Sequence, residues 1–97
     1  MKILAIEKEI SDLTFKKMTP YLKEESVRAW ELFKNGFIRE MYFRQDKSTV
    51  VLMLEAESKE EAEKIMQTLP LVKNGFIEFD LIPLRAYDGF ERLFEKS

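Results

Sequence analysis

The sequence predicts an α+β domain with one four-stranded antiparallel sheet and two main helices. Its pentapeptide at residues 34–38 recurs unchanged at 73–77, each time between a helical pattern and a strand pattern. The apolar patterns run in the order strand, helix, strand, strand, helix, strand. A unit that returns once in 97 residues indicates two related halves closing one core, so we predict a single domain over residues 1–97.

The first half is predicted to form a buried strand, a loop and a helix. Residues 2–7 are almost wholly apolar, which is typical of a strand covered on both faces. Residues 9–19 have no clean period and predict a loop with at most one helical turn. Thr19 and Pro20 are typical of a helix cap and first helical residue, and Gly36 is predicted to end that helix. Its apolar positions are Leu22, Ala29, Trp30 and Phe33.

The second half is predicted to form a hairpin, a helix, a last strand and a tail. Ser58 and Glu61 have the spacing of a capping box, and Pro70 is predicted to stop the helix that they begin. We predict strands at 37–44, 49–56 and 76–84. Residues 85–97 carry apolar side chains on a short helical turn, so we expect this C-terminal tail to pack on a partner subunit.

This order of elements is that of the ferredoxin-like βαββαβ fold, whose antiparallel sheet has the order 4-1-3-2 and carries both helices on one face. The other face is then bare. Strand alternation predicts an apolar patch there that is too large to leave in water. It consists of Phe37, Met41, Phe43, Met53 and Phe76. Two sheets packed face to face would cover it, so we expect a homodimer or a higher homo-oligomer.

Composition excludes several classes of function. The chain has no Cys and no His, which removes disulfides, thiolate nucleophiles and the commonest general base and metal ligand. A net charge of −2 gives no cationic surface for nucleic acid. The sequence has neither a signal pattern nor an apolar run long enough to cross a membrane, so we expect a cytoplasmic protein. No ligand spacing for a metal is recognisable.

Two stretches resemble a known family. Residues 36–44, Gly-Phe-Ile-Arg-Glu-Met-Tyr-Phe-Arg, are similar to the glycine, aromatic and arginine-bearing second strand of muconolactone isomerase-like proteins. Residues 68–71, Thr-Leu-Pro-Leu, with the strand at 76–84, resemble that family's Leu-Pro-Leu segment and acidic fourth strand. The likeness covers residues 27–86 and places the chain with the dimeric α+β barrel proteins.

The resemblance implies a dimer or an assembly of dimers, and a cofactor-free isomerase that moves a proton beside a lactone carbonyl. The family's second strand has a His where this chain has Glu40, so its substrate is not carried over. Barrels of this type also include oxygenases, haem enzymes and sensors, and fold alone does not decide among them.

Candidate catalytic residues follow from strand alternation. It predicts Leu4, Ile6, Leu52, Leu54, Ile77 and Phe79 on the helix side of the sheet. The barrel side then receives Glu7, Arg39, Glu55, Glu78 and Asp80. We predict that the first and third strands run parallel, which would bring Glu7, Glu55, Arg39 and Glu78 together at one rim.

Crowded carboxylates in a partly dry pocket raise one another's pKa values, so Glu7, Glu55 or Glu78 is a candidate base. Arg39 is its candidate electrostatic partner for an enolate or a substrate carboxylate. The alternative is that Arg39 pairs with Glu78 or Glu55 across a dimer interface and sets only the register.

Three aromatic residues are candidate substrate-binding groups. Tyr42 is predicted on the helix side of an edge strand, where its phenol would reach a pocket, or where it is simply a half-buried edge residue. Trp30 and Phe33 would line the same pocket, although aromatic residues at helical spacing are usually core. The functions that remain open are a cofactor-free isomerase, lyase or oxygenase, a binding module for a small ligand, and an assembly subunit.

Overall fold

The computed structural model describes residues 1–8 and 15–95, and its elements follow the predicted order. The strands and α-helices are β1 (Lys2–Lys8), α1 (Phe15–Met18), α2 (Leu22–Lys34), β2 (Ile38–Phe43), β3 (Val50–Glu55), α3 (Lys59–Met66), α4 (Pro70–Lys73) and β4 (Glu78–Pro83). Two 3-10 helices span Thr19–Tyr21 and Gly89–Phe94. Most of the loop predicted after β1, residues 9–14, lies outside the described residues.

The four strands form one sheet of order β2-β3-β1-β4, which is the predicted order read from its other edge. Every neighbouring pair is antiparallel. The α+β ferredoxin-like fold is therefore confirmed. The predicted parallel direction of β1 and β3 is wrong, because β1 and β2 share a direction and the hairpin reverses β3 between them.

One face of the sheet is buried under the helices. Its fully buried strand residues are Ile3, Ala5, Ile38, Leu52 and Leu54. The prediction that Leu4 and Ile6 face the helices is wrong, since Ile3 pairs with Leu54 across the ladder and paired residues share a face. All of residues 3–6 are apolar, so β1 has no polar alternation from which its buried face could be predicted.

A β-bulge near Arg39 changes the face of every later residue in β2. Ile38 pairs with Leu54, whereas Glu40 pairs with Met53, so one extra residue is inserted on the β2 side. Tyr42 consequently lies on the face opposite to the helices, and its predicted helix-side position is wrong. The sequence around Arg39 gives no sign of the extra residue.

The same shift corrects the predicted bare patch. Only Met53 of its five members lies on the face without helices; Phe37 is buried in the core, and Phe76 packs against Tyr21 with ring centroids 5.3 Å apart. By register, Met41 and Phe43 belong to the helix side. The open face, as we call the uncovered side of the sheet, instead carries Leu4, Ile6, Val51, Met53 and Ile82.

The duplicated pentapeptide forms the same helix end twice. Asn35 and Asn74 each donate their backbone N–H to a carbonyl four residues earlier, at 3.0 Å in both copies. Gly36 and Gly75 follow with φ of 88° and 75°, the left-handed conformation in which glycine has no steric penalty. The repeat therefore ends two helices and directs the chain into two strands.

Of three predicted helix boundaries, one is confirmed and two are wrong. Ser58 accepts a hydrogen bond from the Glu61 backbone N–H at 3.1 Å, which confirms the predicted cap. Thr19 does not begin the main helix, because α2 starts at Leu22 after a 3-10 turn. Pro70 does not stop α3, which already ends at Met66; it opens α4, since proline fits the first helical turn.

No helix within residues 1–8 and 15–95 is long and apolar enough to cross a membrane. The buried core lies between the sheet and α2, α3 and α4, with Leu32, Ala62, Met66 and Leu71 supplied by the helices. Trp30 and Phe33 are 58% and 44% exposed, so the interpretation that places them in this core is wrong.

Candidate functional site

The predicted rim of four charged residues is divided between the two ends of the sheet. Glu55 ends β3 beside Lys2 and close to Arg39, whereas Glu78 begins β4 opposite Lys8 at the other end. Glu7 lies at the Glu78 end, but on the helix side of the sheet, since its ladder partner is Phe79. The separation follows from the antiparallel direction of β1 and β3.

At the Glu55 end, the carboxylate is held by cations. The N-terminal ammonium of Met1 lies 2.9 Å from Glu55 Oε1, and this hydrogen bond lowers the pKa of Glu55, with smaller contributions from the charges of Arg39 and Lys2. The Arg39 Nε donates to the carbonyl of Gly36 at 2.7 Å. A carboxylate with a lowered pKa is a weak proton acceptor, so this end is better suited to holding charge than to removing a proton.

A carboxylate that the sequence analysis did not identify lies on α2. Glu25 is partly buried and its Oε1 accepts a hydrogen bond from the Leu71 backbone N–H at 2.9 Å. Burial raises the pKa of Glu25, and the charge of Glu7 raises it further, while the Leu71 hydrogen bond lowers it. A signal was present in the sequence, because Glu25 has the helical spacing of Leu22 and Leu32 and so lies within the apolar face.

A groove of about 440 Å³ runs along the outer edge of β4, between that strand and α3. Its volume is in the range of small-molecule sites, roughly 300–1,000 Å³. The groove has an apolar floor of Met66, Val72, Ile77, Phe79 and Leu81. Its polar lining residues are Lys8, Lys59, Glu63, Gln67, Glu78 and Asp80. Of the predicted catalytic residues, Glu78 lines this groove.

The backbone of β4 contributes to the same groove. The Leu84 N–H donates to the Lys2 carbonyl at 2.9 Å, so residues 84, 82 and 80 direct their backbone groups toward β1. In an antiparallel ladder the intervening residues point the other way, and the N–H and C=O groups of Phe79 and Leu81 are therefore directed to the outer edge. Pro83, which has no N–H, is compatible with this edge position.

The charges of the groove are of both signs. Lys8 Nζ lies 3.6 Å from Asp80 Oδ1, and both side chains are about half exposed or more. Lys59 and Glu78 also line the cavity. Ammonium groups bind a carboxylate, and a neighbouring Glu accepts a proton, so the groove has the groups that an acid-binding, proton-moving site requires.

The three predicted substrate-binding aromatics lie elsewhere. The Tyr42 hydroxyl donates to Glu40 Oε1 at 2.8 Å, and this bond raises the pKa of Tyr42. Trp30 and Phe33 stack on each other on the outer side of α2, with ring centroids 6.1 Å apart. These residues do not line the groove, and their role in binding stays a prediction. Among the described residues, no cluster of three or more potential metal ligands is present.

The fold has a counterpart among solved structures. The chain superimposes on a crystal structure of muconolactone isomerase with a TM-score of 0.73, covering 91% of this chain and 92% of that one at 18% identity. The sequence matches no protein-family profile and no curated protein. The muconolactone isomerase-like fold expected from the resemblance is thus confirmed, and at this identity the likeness extends to the fold alone.

Proposed function

We propose that this protein is a cofactor-independent isomerase or lyase of the cytoplasm that moves a proton beside the carbonyl of a small organic acid or lactone. The observation that carries the proposal is the groove along β4, in which Glu78, two lysines and an apolar floor line one cavity of about 440 Å³. The similar fold of muconolactone isomerase supports the same class of reaction.

In this proposal, each group of the groove has one role. Lys59 binds the carboxylate of the substrate by a charge-assisted hydrogen bond. Glu78 accepts the proton from the carbon next to the carbonyl and returns it at a neighbouring carbon. The outward N–H of Phe79 or Leu81 donates to the oxygen of the enolate that forms, because fixed donors stabilise charge as it develops.

A homo-oligomer is part of the proposal. The open face presents Leu4, Ile6, Val51, Met53 and Ile82 in one layer without a helix to cover it. Charged residues surround this apolar centre, with Lys2 and Glu55 at one end and Lys8 and Asp80 at the other. A surface with an apolar centre and both signs of charge is suited to pairing with a second copy of itself.

The experiment is deuterium exchange followed by proton NMR in D2O, with muconolactone as the first probe. We expect wild-type protein to accelerate exchange at the carbon beside the carbonyl, and Glu78→Gln to reduce the rate at least 100-fold, the usual scale for loss of a general base. Glu60→Gln, an exposed change on α3 outside the groove, is the matched control.

Binding is measured separately from the backbone amide shifts of residues 59–67 and 78–81. Shifts in both wild type and Glu78→Gln, with exchange only in wild type, support the enzyme. Shifts in both proteins without exchange in either would contradict the enzyme and support the alternative, a binding module that holds an acid unchanged. Absence of shifts in the groove with every small acid and lactone tried would contradict both.

A further inference from the structure

The C-terminal tail presents a set of exposed apolar side chains on an ordered backbone. Gly89–Phe94 is a 3-10 helix, and Tyr87, Phe90, Leu93 and Phe94 are each between 68% and 83% exposed. Tyr87 and Phe90 contact each other edge to face with ring centroids 5.1 Å apart. The tail is thus locally organised before it meets any partner, which lowers the entropic cost of docking.

A second unpartnered surface lies on the outer side of α2. Val27, Trp30 and Phe33 are 53%, 58% and 44% exposed and form what we call the α2 stripe. Lys34 Nζ lies 5.5 Å from the Trp30 ring, and Lys23 occupies the same side of the helix four residues before Val27. The α2 stripe is therefore an aromatic surface with a cation toward each end.

The tail of a chain starts far from its own α2 stripe. It leaves β4 at Leu84, on one edge of the sheet, whereas α2 packs against β2 on the opposite edge. Three strand spacings, about 14 Å, separate the two edges. The molecule is also extended, 61 Å in its longest dimension, with a radius of gyration of 16.4 Å where about 12.5 Å is typical of a compact chain of this length.

We infer that the tail, residues 86–95, docks on the α2 stripe of a second copy of the chain. Phe90, Leu93 and Phe94 cover Val27, Trp30 and Phe33, and the acidic Glu91 and Glu95 lie near Lys23 and Lys34. The tail and the stripe are thus complementary in both apolar surface and charge. This contact is distinct from the proposed pairing of open faces.

The buried area is sufficient for a stable pair if the exchange is reciprocal. These side chains are 44–83% exposed, so each has roughly 100–130 Å² left to bury out of the 150–250 Å² of an aromatic residue. Twelve of them, three on each surface for two tails, give roughly 1,200–1,600 Å². Stable interfaces begin near 1,200 Å² in total. A one-sided contact would bury about half of this, so we infer a closed two-fold exchange rather than an open chain.

The absence of Cys from the sequence permits a direct test with the full-length protein. One sample carries Val27→Cys and a second, distinguishable by a mass label, carries Leu93→Cys; both positions are more than half exposed. The two are mixed, allowed to exchange subunits, and oxidised. A matched mixture pairs Leu93→Cys with Met53→Cys, which places the thiol on the open face.

We expect the 27–93 mixture to give at least five-fold more covalent heterodimer than the 53–93 mixture, as measured by non-reducing gels and mass spectrometry. A dominant 53–93 product would overturn the inference, because the tail would then cover the open face. A Val27→Cys/Leu93→Cys double variant that closes within one chain would also overturn it, and so would the lack of covalent heterodimer in both mixtures.

Discussion

Glu25 on α2 accepts a hydrogen bond from the backbone N–H of Leu71 at the start of α4, at 2.9 Å. One helical turn later, Arg28 Nε donates to Thr68 Oγ1, also at 2.9 Å. These two bonds join the helix of the first half to the segment that opens α4 in the second. α4 has no side-chain cap of its own, so Glu25 satisfies one of its first N–H groups from across the core.

The pKa of Glu25 predicts a pH dependence of stability. A carboxyl whose pKa is raised in the folded protein contributes stability that is full below the ordinary value of 4.5 and is lost as the pH rises through the raised value. Glu25→Gln keeps an acceptor for Leu71 and removes the buried charge. We expect it to be at least as stable as wild type at pH 7, with a smaller loss of stability between pH 4 and 7.

Urea unfolding at pH 4, 5.5 and 7 measures this, with the exposed Glu24→Gln as the control. A Glu25→Gln protein that is less stable than wild type at pH 7 by more than about 1 kcal/mol would show the opposite balance. The charge-assisted bond to Leu71 would then outweigh the cost of burying the carboxylate.

Replacing either glycine of the repeat by alanine should cost the same amount of folding stability. A Cβ at Gly36 would meet only the Arg39 side chain, at 3.8 Å, and one at Gly75 would meet nothing within 4 Å. The left-handed backbone is therefore the main cost, about 1 kcal/mol for Gly36→Ala and for Gly75→Ala. Urea unfolding should give similar values for both, and smaller ones for Asn at either position; a difference above about 1 kcal/mol would point to an unequal packing role.

A charge on the open face predicts dissociation without unfolding. Met53 is partly buried at the centre of that face, with no helix above it. Met53→Lys introduces like charges between two paired faces, so we expect a lower mass in sedimentation and little change in the circular dichroism spectrum. The exposed change Glu60→Gln on α3 shifts the net charge by the same one unit and is the control. An unchanged mass for Met53→Lys would exclude the open face as an interface.

Gly89 predicts an effect confined to the tail. It is buried although its neighbours are exposed, because the Tyr87 ring occupies the space where a Cβ would stand. Gly89→Ala should displace this ring from Phe90 and shift the aromatic NMR signals of the tail, with the unfolding midpoint of the body unchanged. Gly75→Ala should leave the tail signals unchanged and lower the unfolding midpoint. A lower midpoint for Gly89→Ala would mean that the tail stabilises its own domain.

Local chemistry was enough to predict the order of the main elements, although not every helix start and end. The repeated Asn-Gly pairs, the Ser58 cap and the polar turn after β2 each act over three or four residues, and all are found where they were expected. The element order then leads to the sheet order. These features depend on backbone conformations that a few side chains select by themselves.

The position of each side chain on the sheet depended on contacts between distant residues. Alternation failed in β1, where every central residue is apolar, and in β2, where the bulge near Arg39 adds one residue. It was correct for Glu78, which by register lies on the open face, and the structure adds a groove at the edge of β4 that Glu78 and residues of α3 both line. No pattern within a strand records which helix will lie against its edge.

The sequence by itself determined the order of the main helices and strands and the order of the sheet. Its lack of Cys and His also leaves acid–base chemistry to carboxylates, Tyr and Lys. Only the tertiary structure decided that Glu55 and Glu78 lie at opposite ends, that Glu25 is partly buried and bound to Leu71, and that the apolar side chains of the tail are exposed. The physical reason is range, since capping and turn preferences act between neighbours in the chain, whereas strand direction, register and burial are set by residues up to 80 positions apart.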